Sequence, residues 1–551
     1  MSATTSAIAS ERENDPEQRD PDRPTVENEA SQKSAAQTAK LALIMVGLCL
    51  AVFLTGMDQT ILATATPTIS DEFKALDDVG WWTAIYLFTL STFQLFYGKL
   101  YMLFSIKIVY LCAIAIFELG SLICATAPNA VALTCGRAIA GLGAAGIFSG
   151  GIMVTTKVIP LDHRAAYLGI MSGVFGVAAI VGPFIGGALT EKSTWRWCFG
   201  INLPMGFVTI VICSFLVRTP TNPLVRTMGL REKLRQFDLV GMVLLIAALV
   251  CLLLGLQWGG STYPWSNGRV IALLVVAGVL MIGFILVQVL GKSSKTIPPT
   301  LARSRSIWLA ISYAMCMTGG VYVAILYVPI WFQAIQHQSV LSSGVMLMPL
   351  IVGYVVCSVI AGILTSVIGY YNPAMIIGTI LAVIGAGLLT TLTPQTARSA
   401  WIGYQLLYGL GVGFGFGQPS YVVQTLLPEK EIPIGVTLVT LVQNLSATIF
   451  VAVGQSIFQN TLADRLHDIA PGVSASSLMQ SGATQLASMF TPEQMPQVLD
   501  AYSAALVRTM YISLGLSCLS TVGAVLTEWK SMKVKSRDDR PLPGVSGEKT
   551  R

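Results

Sequence analysis

Residues 176–187 read GVAAIVGPFIGG, inside an apolar run from about Ala166 to Thr190. A bilayer-spanning helix needs about 20 mostly apolar residues, so this run is long enough to cross. Pro183 interrupts it. In a soluble helix an interior proline costs about 3 kcal/mol. In a membrane, neighbouring helices and local adjustments satisfy the freed carbonyl. Gly182 and Gly186 are four apart and share a face that admits another backbone at close range. Two readings follow: a kinked pivot between two helical bundles, or a tightly packed structural helix.

The rest of the chain is of the same kind. Of its 551 residues 54% are hydrophobic and 11% charged, against about 25% charged in a soluble domain. The mean hydropathy is +0.68. The net charge of +6 requires no nucleic-acid partner, because the basic residues fall mainly in short loops, where membrane topology uses them. The ten cysteines lie in or beside apolar runs without a CxxC pair, and read as packing residues. The three histidines, His163, His337 and His467, lack metal-ligand spacing. No G-x-x-x-x-G-K-S/T pattern occurs. Neither metal nor cofactor is expected, and an energy source other than ATP is favoured.

Apolar length predicts an all-α polytopic membrane protein with about fourteen spans, at 41–67, 81–100, 107–126, 130–154, 166–190, 198–217, 238–257, 270–290, 307–332, 342–366, 373–393, 400–427, 432–458 and 505–527. Loops carrying Lys99, Lys107, Lys157, Arg164, Arg218, Arg226, Arg231, Lys233, Arg235, Lys292, Lys295, Arg303 and Arg305 alternate with loops poor in Lys and Arg. By the positive-inside rule both termini face the cytosol. The expected organisation is a disordered cytosolic tail (1–40) and a six-helix bundle (41–217). Cytosolic loops with two inserted helices (218–306) follow. A second six-helix bundle (307–529) carries an exterior loop (461–502), and a cytosolic tail (530–551) ends the chain. A faint repeat agrees: Gly98-Lys-Leu100 ends the second span and Gly362-Ile-Leu364 ends the tenth.

Ionisable groups deep in spans cost roughly 2.5–3.5 kcal/mol and are functional candidates by default. Here they are Asp58, Glu118 and Arg137. Asp58 reads as a proton-carrying carboxylate opposed by Arg137, or as a helix-end carboxylate facing outer water. Arg137 reads as that counter-charge, or as a clamp on backbone carbonyls. Glu118 reads as a hydrogen-bonding group before a proton carrier. A polar path could be lined by Gln94, Gln257, Gln418, Gln443, Asn444 and Gln455, with Tyr86, Phe88, Phe93, Phe414 and Phe416 giving it apolar walls. Trp81, Trp82, Trp195, Trp197, Trp265 and Trp401 fit an interfacial belt. Alternate glycines from Gly409 to Gly417 thin one helix on several faces, for gating or for dense packing.

Four stretches together resemble the major facilitator superfamily, and within it the fungal fourteen-span drug:proton antiporters. Met57-Asp58-Gln59-Thr60-Ile61-Leu62-Ala63-Thr64-Ala65-Thr66-Pro67 is similar to its first-span motif. Arg137 with Gly141-Leu142-Gly143-Ala144-Ala145-Gly146 resembles its fourth-span motif. Gly176, Gly182, Pro183, Gly186 and Gly187 resemble its antiporter signature, and Trp195-Arg196-Trp197-Cys198-Phe199-Gly200-Ile201-Asn202-Leu203-Pro204 the segment after it. One loop departs: Gly98, Lys99, Leu100 and Lys107 fit the family's loop motif, but Met102, Ser105 and Ile106 stand where aspartate, glycine and arginine are usual. The resemblance implies the major facilitator fold, two six-helix bundles plus two inserted helices. It also implies proton coupling, with Arg137 implicated in it, and export of an amphiphilic small molecule such as a secondary metabolite, mycotoxin or drug.

The expected partners are that molecule, protons and the lipid bilayer. The protein is expected to be a monomer in the plasma membrane, with the vacuolar membrane as alternative. A siderophore or vacuolar basic amino-acid carrier of the same superfamily is the nearest other function, and a non-transporting receptor the alternative of another class. A membrane enzyme would need clustered His, Asp or Glu near an interface, and the sequence has none.

Overall fold

The computed structural model describes residues 26–74, 79–217, 229, 232–233, 237–260, 263–291, 295–467 and 495–533. The expected tail up to residue 25, most of the 218–236 loop, the middle of the exterior loop and the tail from 534 lie outside the described residues. The long helices are α1 (Val26–Phe73), α2 (Val79–Leu103), α3 (Ile106–Ala125), α4 (Ala130–Val158), α5 (Leu161–Lys192), α6 (Asn202–Leu216), α7 (Leu239–Trp258) and α8 (Gly268–Leu290). They continue with α9 (Arg305–Ile335), α10 (Met348–Ile368), α11 (Asn372–Leu389), α12 (Arg398–Phe416), α13 (Ile432–His467) and α14 (Met495–Leu526). Helix α1 begins at Val26, inside the stretch expected to be disordered.

Local chemistry sets several boundaries. Asn129 caps α4, its side chain accepting from Ala132 N at 2.8 Å. Asp238 caps α7 through Gly241 N at 2.8 Å. Gly369 ends α10 at φ 82°, a left-handed conformation that glycine adopts freely. Glu72 on α1 accepts from Trp195 Nε1 at 2.6 Å and from Arg196 at 2.9 Å, pinning the α5–α6 turn to the end of α1. The Trp195 hydrogen bond first, then Arg196, holds the Glu72 carboxyl below the usual carboxylate range.

Among the described residues, 12 helices are long and apolar enough to cross a membrane, against the fourteen expected. The two short of that measure are α2 and α12. Both bury polar side chains, Ser91, Thr92, Gln94 and Lys99 on one and Gln405 on the other. Both pack among helices that qualify: α2 against α4 and α13, and α12 against α10 and α11. Inward polarity, not shortness, lowers their apolar average.

The packing repeats. In the first half α1 packs on α5 and α6, α2 on α4, and α3 on α4 and α6. In the second half α9 packs on α13 and α14, α10 on α12, and α11 on α12 and α14. The two halves meet along α5 against α10 and α2 against α13. Thus α2 and α10 hold equivalent places, and the faint Gly98/Gly362 repeat has a physical cause. A Cβ on Gly98 would strike Thr437 of α13, and one on Gly362 would strike the Ala165 carbonyl of α5. Helices α7 and α8 pair with each other at the periphery, α7 resting on α2 and α13. Helix α8 turns Val275, Val279, Ile282 and Leu286 outward, as a lipid-facing helix does.

Gly182 and Gly186 do not form the interface between the bundles. A Cβ on Gly182 would meet Thr60, Met57 and Ile61 of α1, and one on Gly186 would meet Ile61 and Thr64. This face joins α5 to α1 within the first half. The face toward α10 carries Gly169, Gly173 and Gly176, whose added Cβ atoms would meet Ser358, Val359 and Val355. Gly187 has open space around it. The alternate glycines of α12 face three neighbours: Gly409 and Gly413 lie on α10, Gly411 on α11, and Gly415 on Tyr313 of α9. That is the dense-packing reading.

Candidate functional site

Asp58 on α1 and Arg137 on α4 form a buried ion pair, Nη1 to Oδ2 2.6 Å, with side chains 1% and 0% exposed. Arg137 is held on several sides. Its Nε donates to the Trp82 carbonyl at 3.0 Å, and its guanidinium lies 4.4 Å from the Tyr86 ring centroid. Asn202, opening α6, donates to Asp58 Oδ1 at 3.3 Å and to Ser121 on α3 at 3.1 Å. Two side chains, Arg137 and Asn202, therefore contact one carboxylate, within a buried cluster to which α1, α2, α3, α4 and α6 contribute. Small residues allow the approach: a Cβ at Gly141 would strike the Tyr86 carbonyl of α2, and one at Gly143 would strike the α3 backbone at Phe117. The reading of Asp58 as a water-exposed helix end is thereby corrected. Arg137 is both counter-charge and carbonyl clamp.

Glu118 lies on α3 against Gly206 of α6, with both carboxylate oxygens buried and without a hydrogen-bond partner. It does not supply the hydrogen bonds expected of it.

One residue beyond Asp58, Gln59 reaches a different environment. With Thr55, Leu90, Gln94, Phe148 and Phe175 it forms the first-half wall of a central cavity. Thr318, Tyr322, Tyr354, Phe416, Gln443 and Asn444 form the second-half wall. Gln59, Tyr322 and Asn444 also border a neighbouring space that runs past Gln257 and Gln455 toward the far end of α7.

The opposite end is closed by contacts between the halves. Ala166 N donates to Ser366 Oγ at 3.1 Å, and Tyr421 Oη to the Ala165 carbonyl at 3.1 Å. Lys157 pairs with Glu429 at 2.5 Å. Lys99 is buried and donates to the Lys295 carbonyl at 2.5 Å, tying α2 to the segment before α9. Lys107 donates to the Ser214 carbonyl at 2.5 Å, inside the first half. Leu100 packs on the hydrophobic core.

Of the residues expected along a substrate path, Gln94, Phe416, Gln443 and Asn444 line the cavity. Tyr86 belongs to the Arg137 site instead. Gln418 bonds within its own half, to Thr365 and to the Phe414 carbonyl. Of the tryptophans expected in an interfacial belt, Trp82, Trp195 and Trp401 are buried within the protein, while Trp197 is exposed. Sequence reasoning missed Gln59, Thr318, Tyr322 and Tyr354. Only Gln59 carried a local signal, its position next to an intramembrane carboxylate.

Two pseudo-repeated helical halves around one central cavity, with a buried charge pair beside it, define a membrane carrier. The profile of the Major Facilitator Superfamily matches residues 48–451, and the chain belongs to that superfamily. It is 48% identical over 502 residues to the MFS thioclapurine efflux transporter tcpA of Claviceps purpurea, covering 91% of this chain and 93% of that one. It is 45% identical over 509 residues to the efflux pump aflT of Aspergillus parasiticus, covering 92% and 99%. Among solved structures it resembles the proton:xylose symporter XylE, with a TM-score of 0.56 at 14% identity, covering 90% and 98% of the two chains. It also resembles the human organic anion transporter MFSD10, with a TM-score of 0.54 at 12% identity, covering 86% and 99%. Those two share the fold alone. The protein is a multi-pass membrane transporter of small molecules and not an enzyme.

Proposed function

We propose that the protein exports an amphiphilic small molecule, of the secondary-metabolite type, in exchange for protons. The observation that carries this is the adjacency of Asp58, sealed in its ion pair, and Gln59, exposed on the cavity wall. A proton on Asp58 ends the charge pairing with Arg137. That changes what holds α1 to α4, and α1 carries Thr55 and Gln59 into the cavity. Proton binding and cavity shape are then two readouts of one helix position.

In alternating access the contacts at the closed end part while the other end seals. Loop charge supports placing the closed end at the cytosol, with both termini there. The names of the efflux relatives support the outward direction. One chain supplies both walls of the cavity, which supports a monomer. No Asp or Glu is among the residues lining it, which counts against carriage of basic amino acids. The plasma membrane fits export from the cell.

The test compares intracellular and medium levels of small metabolites in the native host with and without the protein. One compound family should accumulate inside when the protein is missing. If instead an added compound stops entering, the direction is wrong. The Lys157–Glu429 pair should matter little, because Glu429 is 64% exposed and such pairs contribute about 0–1 kcal/mol. Lys157 holds the Glu429 carboxyl below the usual range. The contact is therefore present at neutral pH and is lost only as pH falls through that lowered value. Glu429→Gln is expected to change export by less than about twofold.

A further inference from the structure

The central cavity, read as the substrate site, carries information about charge. Among the residues lining it there is no Asp, Glu, Lys, Arg or His. The nearby charges of Asp58 and Arg137 neutralise each other and are 1% and 0% exposed. A charged molecule entering here would shed its water and meet no counter-ion, which is strongly unfavourable. The polar groups offered are amides and hydroxyls: Gln59 and Gln94 from one half, Thr318, Gln443 and Asn444 from the other. Two of these are conspicuous. Gln94 and Thr318 are only 1% and 2% exposed, and Gln94 Nε2 and Thr318 Oγ1 have no hydrogen-bond partner. They stand on α2 and α9, in opposite halves. Buried polar atoms are nearly always paired, so each of these awaits a partner. Around them Phe148 meets Phe175 edge-on at 6.1 Å, and Tyr354 meets Phe416 at 5.5 Å, giving aromatic walls from both halves.

We propose that this cavity takes an uncharged aromatic amphiphile bearing carbonyl or hydroxyl groups, and that Gln94 and Thr318 are the two polar anchors holding it between the halves. The inference rests on the cavity's being the substrate site. A ligand oxygen accepting from Gln94 and a group bonded to Thr318 link α2 to α9, so occupancy itself connects the moving parts. Exchange of an uncharged molecule for protons also moves net charge, so membrane potential as well as pH gradient drives it.

Binding to the full-length protein in lipid nanodiscs tests this, without any proton gradient. The probes are three anthraquinones that differ only in one substituent: hydroxymethyl, trimethylammoniomethyl and sulfonate. Empty nanodiscs are subtracted. The hydroxymethyl compound is expected to bind at least tenfold more tightly than either charged one. Gln94→Leu and Thr318→Val should each weaken it about tenfold. Thr318→Ser, which keeps the hydroxyl, should bind as the unaltered protein does. Melting temperatures show whether each variant is folded. Tighter or equal binding of a charged probe overturns the proposal. So does unchanged binding in folded Gln94→Leu and Thr318→Val. So does failure of all three probes to bind, since a site reading such general features must accept the uncharged one. These outcomes are independent of direction and proton coupling, which the metabolite comparison tests separately.

Discussion

Asp58→Asn is expected to lower proton-driven export at least about hundredfold while the protein still reaches the membrane. The substitution is nearly isosteric, so Asn202 and the helix path of α1 keep their neighbours. It removes a protonatable group and leaves Arg137 buried without its 2.6 Å counter-charge. Losing one partner of a buried pair costs about 3–5 kcal/mol. Part of that is recovered here, because Arg137 also donates to the Trp82 carbonyl and faces the Tyr86 ring. A lowered melting temperature with retained membrane insertion is therefore expected. The decisive measurement uses proteoliposomes and the compound that accumulates when the protein is missing. Uptake driven by an imposed pH gradient should vanish, while exchange of labelled for unlabelled compound, which needs no proton step, should persist. Full gradient-driven transport in the variant would remove Asp58 from coupling.

The second large effect is expected from a glycine series, because three glycines of apolar helices face different surroundings. Gly362→Leu should abolish export in a protein that folds. Its side chain would press on the Ala165 carbonyl and on Gly169 across the interface between the halves, so the closed end could no longer close. Gly182→Leu should reduce the amount of folded protein. Its side chain would enter the α1 backbone at Met57 and Ile61, inside one half. Overpacking of this kind costs about 1–3 kcal/mol or more. Gly187→Leu, with nothing within 4 Å of its added Cβ, should behave as the unaltered protein. Detergent-solubilised yield and melting temperature separate folding loss from transport loss. Equal behaviour of Gly362→Leu and Gly187→Leu would refute the assigned crossing.

The relation between Gly98 and Gly362 shows how far a pattern can be read before its geometry is known. The three-position match at the ends of the second and tenth spans was too short to stand alone. In the structure each glycine sits where one half crosses the other, Gly98 at Thr437 and Gly362 at Ala165. The departure of the loop at Met102, Ser105 and Ile106 also has a counterpart. Lys99 is held by the Lys295 carbonyl, so the end of α2 is tied to the chain entering α9.

The sequence by itself determined that this is a helical membrane protein, where most spans lie, and which buried charges are costly. Those are properties of short windows: apolar length, loop charge and isolated ionisable groups report local free energies of transfer. The tertiary structure alone decided which surfaces meet. Helical periodicity placed Gly182 and Gly186 on one face, but it could not say that α1 covers that face while α10 covers Gly169 and Gly176. Asp58 and Arg137 were each legible, yet their 2.6 Å pairing depends on α4 approaching α1 through close crossings with α2 and α3. The cavity was least legible. Gln94 and Thr318 face it from helices far apart in the chain, and only the packing of two halves turns ordinary polar residues into opposite walls.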